Sequence, residues 1–168
     1  MKKMIFFPAI ILMVVLDRIV KYLTVTHLSD SSLVLINGVF ELTFVKNEGA
    51  LFGMFQGGAV ILAVITAVLL VFMVFVLFRI PDTGKMRFLR IICMLIIAGG
   101  IGNLIDRVAY GYVIDTFYFR LIDFPVFNVA DCYVTVAVFA FLILYIFYYK
   151  DEDFDNFLTL RKGQKRGK

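Results

Sequence analysis

The sequence predicts an all-α polytopic membrane protein: four transmembrane helices with a small extracytoplasmic β-hairpin, or cradle. Three observations predict it. Apolar residues gather into four long runs, Lys and Arg are distributed lopsidedly around those runs, and an Asn-Gly pair joins two short alternating stretches. Of 168 residues, 62% are hydrophobic and 18% charged, against about 45–50% and about 25% in soluble domains. The four runs, at about 4–25, 59–78, 88–108 and 130–149, each approach the ~20 residues a helix needs to cross a ~30 Å hydrocarbon core.

The first run begins as a cleaved signal peptide does, with Met1-Lys2-Lys3 ahead of apolar residues. It lacks the small-residue cleavage site, and after Asp17, Arg18 and Lys21 the helical pattern resumes, so a retained helix is expected. No linker rich in Gly, Ser or Pro divides the chain, and no run repeats another. Residues 1–168 therefore read as a single membrane-embedded domain ending in a tail over 150–168. Of the Lys and Arg residues, twelve fall beside the N-terminus, the link between runs two and three, and the tail, and five fall on the other side. By the positive-inside rule both termini are cytoplasmic. Between the first two runs, Leu33–Ile36, Asn37-Gly38 and Val39–Val45 read as a hairpin on a type I′ turn. Alternation sets Phe40, Leu42 and Phe44 on one side of its second strand and Glu41 and Thr43 on the other.

Composition also excludes. The net charge of +4 does not mark a nucleic-acid partner, because most of the nineteen Phe lie inside the apolar runs and not on a solvated basic face. His27 is the single histidine, which excludes a His-rich metal site. Cys93 and Cys132 have no companions at ligand spacing and read as packing residues.

Polar residues at membrane depth are costly and call for partners. Asp17 and Lys21 stand i, i+4 and can pair along the first helix. On the third helix Gly99, Asn103 and Arg107 recur every four residues, lining one face beside Asp106. Gly99, Gly100 and Gly102 suit close helix packing. Asn128 is an N-cap candidate three residues before Asp131, which opens an apolar helix with no cation within a turn. Asp115 follows the third helix. Two carboxylates from different segments, meeting near Asn and Arg, can share one proton and divide the roles of base and acid. Spacing alone leaves three classes open: an aspartyl protease, a proton- or ion-coupled transporter, and a membrane scaffold. The small size, the lack of inverted repeats and the clustering of acids at one face weigh against transport.

Five motifs occur in order over about residues 12–135: Asp17-Arg18-Ile19-Val20-Lys21, Asn47-Glu48-Gly49-Ala50, Gly99 through Asp106-Arg107, Val113-Ile114-Asp115, and Phe127-Asn128-Val129-Ala130-Asp131. Together they resemble the lipoprotein (type II) signal peptidase family. The resemblance implies a metal-independent, cofactor-free aspartyl endopeptidase of the bacterial cytoplasmic membrane. Its substrates would be diacylglyceryl-modified prolipoproteins, cut just before the lipid-modified cysteine near the extracytoplasmic face by a monomer in contact with membrane lipid. It implies Asp115 and Asp131 as the catalytic dyad. Asn47, Gly99, Asn103, Arg107, Asn128 and Ala130 become the supporting or substrate-binding set, and Asp17 and Lys21 a structural pair. The hairpin and the Asn47 loop become a cradle over the substrate. The sequence departs from the family pattern at Leu51, Thr116 and Cys132, which puts pocket shape in question and leaves the carboxylates untouched.

Overall fold

A computed structural model describes residues 6–49, 58–150 and 152–154. Helix α1 (Phe6–Leu28) leads into strands β1 (Leu33–Ile36) and β2 (Phe40–Asn47). Helices α2 (Ala59–Arg79) and α3 (Arg87–Tyr110) follow, then strand β3 (Val113–Tyr118), a 3-10 turn (Arg120–Ile122) and helix α4 (Val129–Phe147). Among the described residues all four apolar runs are helical. Among the described residues α2, α3 and α4 are long and apolar enough to cross a membrane. Helix α1 matches them in length, at 23 residues, but carries Asp17, Arg18 and Lys21 within about one turn. Most of the tail lies outside the described residues.

Local chemistry sets the helix ends. Pro8 sits in the first turn of α1, where its missing N–H leaves no bond unmade. Helix α2 stops at Arg79 because Ile80, ahead of Pro81, is held extended. Helix α3 packs against α1, α2 and α4 and is the most buried of the spans, whereas α2 turns Val60, Val64, Val68 and Val71 outward. Close approach has a clear cause. A Cβ on Gly99 would stand 2.5 Å from the Ala130 carbonyl oxygen, and one on Gly102 would stand 2.6 Å from Asp17 Oδ2. Glycine lets α1, α3 and α4 meet at one level. Cys93 is buried in the apolar cluster with Phe6, Leu77, Ile80, Leu89 and Met94, as a packing residue would be.

The sheet corrects the sequence reading in three ways. It has three antiparallel strands in the order β1-β2-β3, so the all-α label holds for the bundle only. The turn is not type I′, which needs positive φ at both central residues. Gly38 has φ +71°, but Asn37 is not in the left-handed region. Val39 N–H closes the turn on the Ile36 carbonyl at 2.9 Å, and a register shift between Val34 and Ile36 absorbs the strand twist. Finally, Glu41 is the buried residue of β2, where its carboxylate accepts from Arg120 Nη1 at 2.6 Å. Glu41 is in regular register opposite Tyr118, and the alternation breaks further along, where the strand is irregular between Leu42 and Val45.

Candidate active site

Each acid at this site is placed by a different element. Asp115 sits on β3, opposite Val45 in register, while Asn47 lies opposite Val113. Asn47 and Asp115 are therefore diagonal neighbours on one face of the sheet, and Asn47 Nδ2 donates to Asp115 Oδ2 at 2.9 Å. The Asn47 amide is turned that way because its Oδ1 accepts the Gly49 N–H at 3.3 Å. Beyond β3 the chain returns through Phe127, whose N–H and carbonyl both bond Phe117 across an isolated bridge. That return delivers Asn128 and the start of α4 to Asp115.

Asn128 caps α4 in a full capping box. Its Oδ1 accepts Asp131 N–H at 3.0 Å, and its own N–H donates to Asp131 Oδ2 at 3.1 Å. With the oxygen so used, Nδ2 faces the other acid and donates to Asp115 Oδ1 at 2.6 Å. From α3, Asn103 Nδ2 donates to Asp131 Oδ1 at 2.7 Å. Every carboxylate oxygen of the pair thus accepts one N–H, and Asn128 touches both acids. Asp115 is almost wholly buried, at 1% exposure, and Asp131 is half-buried. Burial is the first cause pushing the Asp115 carboxyl up to about 6. The Asn47 hydrogen bond lowers it, the Asp131 charge raises it, and the Asn128 hydrogen bond lowers it again.

Behind the acids lies a buried ionic layer. Lys21 Nζ stands 3.1 Å from Asp17 Oδ2, 2.7 Å from Asp106 Oδ2 and 3.0 Å from Asn103 Oδ1. Asp17 and Lys21 pair as their spacing predicts. Asp17 Oδ1 also accepts the Ala130 N–H at 3.0 Å, in the first turn of α4. Asp106 pairs with Arg18 and accepts the Ile114 N–H at 3.2 Å. Sequence reading missed the Arg18–Asp106 and Lys21–Asp106 pairs because their partners lie some 85 residues apart. It also missed β3, although Val113-Ile114 and the aromatics after Asp115 carry a strand signal. Thr116, where the family pattern differs, shares a buried hydrogen bond of 2.8 Å with Thr24 on α1.

Both acids border an open groove of about 1300 Å³. One side is the Asn47–Gly49 segment, and the other is apolar, with Ile122, Phe124, Val126, Phe127 and Val136. Cys132 and Thr135 line it below the acids. A smaller recess of about 350 Å³ lies between α2, α3 and α4, where Gly99, Asn103, Arg107 and Asp131 share a wall. Among the described residues the Arg107 side chain makes no hydrogen bond or ion pair and is left facing this recess. Gly99 and Ala130 meet at the helix crossing described above, so packing accounts for both. Among the described residues no cluster of three His, Cys, Asp or Glu could hold a metal ion. Ala50 and Leu51 lie outside the described residues.

Comparison with known proteins agrees across sequence and fold. The family described as Signal peptidase (SPase) II matches residues 9–147. Lipoprotein signal peptidases of Streptococcus pyogenes serotypes M5 (strain Manfredo) and M1 are each 38% identical over 157 residues, covering 93% of this chain and all of theirs. A bacterial membrane enzyme solved by the in meso method superposes with a TM-score of 0.73 at 29% identity, covering 97% of this chain and 94% of the other. A second such structure gives the same TM-score at 30% identity over 86% of this chain. With most of its length matched by sequence and by fold, the chain belongs to the signal peptidase II family of aspartic proteases.

Proposed function

We propose that the protein is a membrane endopeptidase that removes signal peptides from diacylglyceryl-modified prolipoproteins, cutting before the lipid-modified cysteine with Asp115 and Asp131 as its dyad. The observation that carries this reading is the pair itself: two carboxylates joined through Asn128, each oxygen holding one N–H donor, at the edge of an apolar groove. One ionised carboxylate takes a proton from water as it attacks the scissile carbonyl carbon. The protonated carboxyl donates to the carbonyl oxygen, giving a neutral diol. Collapse of the diol breaks the C–N bond and returns a proton to the leaving amine. The groove wall of Ile122, Phe124, Val126 and Val136 suits acyl chains or an extended apolar peptide, and Asn103 and Arg107 offer donors to substrate carbonyls.

Helix α1 acts as a fourth span. Asp17 and Lys21 are wholly buried against α3 and α4, while Ile11, Leu12, Val15, Ile19 and Tyr22 face outward, so the helix shows lipid an apolar surface despite its charges. At about 1.5 Å per residue it is long enough to cross. The site then lies near the outer face of a bacterial cytoplasmic membrane, with both termini inside, and the protein works as a monomer.

Purified protein in detergent, given a diacylglyceryl-modified prolipoprotein, should release a product whose N-terminus is the modified cysteine, read by mass spectrometry. Proton or ion flux from proteoliposomes without cleavage favours a transporter instead. For topology, Ser31→Cys should react with an impermeant reagent from outside and Gly84→Cys should not, in a background lacking Cys93 and Cys132. Reversed labelling sinks the outward-facing site.

A further inference from the structure

Lys21 does more than hold α1 to its neighbours. Lysine donates hydrogen bonds and cannot accept them, so the terminal atom of Asn103 that lies 3.0 Å from Lys21 Nζ must be the oxygen. The other terminal atom, 2.7 Å from Asp131 Oδ1, must then be the nitrogen. The opposite amide orientation would set donor against donor and oxygen against carboxylate at once. The ammonium, with Asn128 Nδ2 as a second donor to the same oxygen at 3.2 Å, therefore fixes which way the amide points, and as the charged donor of the two it polarises the amide N–H toward Asp131. Three features single out Asp131 as the charged acid: this amide, the Asn128 backbone N–H on its second oxygen, and its place in the first turn of α4, where the helix dipole favours an anion. Asp115 has none of these advantages. It is nearly sealed from solvent, on a strand, and held by the amides of Asn47 and Asn128.

We propose that Lys21 is a positioning residue of the dyad: by locking Asn103 it makes Asp131 the ionised carboxylate that activates water and leaves the shared proton on Asp115. This rests on the protease reading above and adds a division of labour to it. The other charged or titratable groups facing this region are Asp17 and Arg18 from α1, Asp106 and Arg107 from α3, and Cys132 from α4. Lys46 and Glu48 border the groove from the β2 side. Arg18 and Asp106 neutralise one another, and Asp17 is matched by Lys21. Removing Asp17 and Lys21 together takes the ammonium from Asp106 as well, but Asp106 keeps Arg18 and the Ile114 N–H.

The test combines two measurements on protein in detergent: kcat/KM for prolipoprotein cleavage against pH, and ¹³C resonances of labelled aspartate carboxyls. Asp115→Asn and Asp131→Asn assign the resonances. In the unaltered protein Asp115 should be the carboxyl of the pair that keeps its proton to higher pH. In the double variant Asp17→Asn/Lys21→Met, the amide that replaces the Asp17 carboxylate still offers an oxygen to the Ala130 N–H. There the acid limb of the profile should move to higher pH by about one unit, roughly the scale on which a lost charge-assisted bond shifts a carboxylate, and the Asp131 resonance should change with it. The basic limb should follow in the same direction, because the ammonium also favours the Asp115 anion. Lys21→Arg should hold both near their starting positions. Thr24→Val, which cuts a different α1 contact, should move neither. Loss of activity with the acid limb and the Asp131 resonance unmoved would make Lys21 merely structural and overturn the proposal. Asp115 titrating first overturns it as well, and that order is read without any change to α1, so a double variant that fails to accumulate does not shield the idea. Absence of cleavage by the unaltered protein would instead defeat the protease reading, while leaving the titration order to be judged separately.

Discussion

The two ends of the helical bundle bury charge in opposite ways. At the sheet end, Asp17, Lys21, Asp106 and Asp115 are all nearly inaccessible, and each is held by groups from other elements. At the far end the interior is apolar, built from Phe6, Ile10, Leu77, Ile80, Leu89 and Tyr149, with one buried cation, Arg90. Arg90 donates to the carbonyls of Pro81 and Thr83, pairs with Asp82 and lies over the Phe6 ring. It fastens the α2–α3 link and packs on the start of α1. Tyr149 does the same job, accepting the Leu89 N–H and donating to the Lys85 carbonyl, both at 3.2 Å. Burying charge costs similar desolvation at either end. The difference is where the partner carboxylates sit: Asp82 at the far end is exposed on a link, whereas Asp17, Asp106 and Asp115 at the sheet end are buried beside one another. Changes at the sheet end should therefore register in catalysis, and changes at the far end in stability.

The largest effects test that division directly. Asp115→Asn and Asp131→Asn should each abolish cleavage while leaving the protein folded and inserted, because asparagine keeps size and an acceptor but cannot cycle a proton. Loss should exceed the ~10²–10⁴ typical of a single proton-transfer group, and the double variant should be no worse than either alone. Asp123→Asn should remain active: its carboxylate only accepts from Tyr118 at 2.6 Å on an exposed turn. Substantial turnover by either dyad variant, measured by product mass, would show that the wrong pair has been chosen.

Next in size are Asn103→Ala and Arg107→Ala, expected to lower kcat/KM by about two orders of magnitude, comparable to the loss of one preorganised donor. Thermal unfolding in detergent separates the roles. If Arg107→Ala fails to accumulate, the arginine serves folding and not substrate handling. Smaller again is the effect of pH. With Asp115 as the group that must keep its proton, activity should fall as pH rises through about 6. Asn47→Ala removes a hydrogen bond that favours the Asp115 anion, so the carboxyl should hold its proton longer and this limb should move to higher pH. A shift toward acid would contradict the assigned bond.

The smallest catalytic effect belongs to the far end. Tyr149→Phe should leave kcat/KM within about twofold of the parent, since it sits remote from both acids, yet cost about 1–3 kcal/mol by stranding the Leu89 N–H and the Lys85 carbonyl. A large activity loss without a change in unfolding temperature would dissolve the contrast between the ends.

By itself, the sequence determined the four helices, the Leu33–Ile36 and β2 hairpin and the Asp17–Lys21 pair, and it singled out Asp115 and Asp131 as the candidate acids. These are local matters. A run of apolar residues reports its own burial, an i, i+4 pair needs only one helix, and a capping Asn lies three residues from the acid that it serves. Only the tertiary structure decided how the acids meet. Asp115 reaches Asp131 because β3 pairs with β2 and the chain then returns through the Phe117–Phe127 bridge, and neither pairing has a short-range signature. It also decided that Lys21 faces Asn103 and Asp106 as well as Asp17, and that Glu41 is buried and met by Arg120. The physical reason is range. Hydrophobic periodicity and capping act over a turn or two of chain, whereas a lysine ammonium finds its acceptors through space, and glycine at Gly99 and Gly102 brings those acceptors within reach.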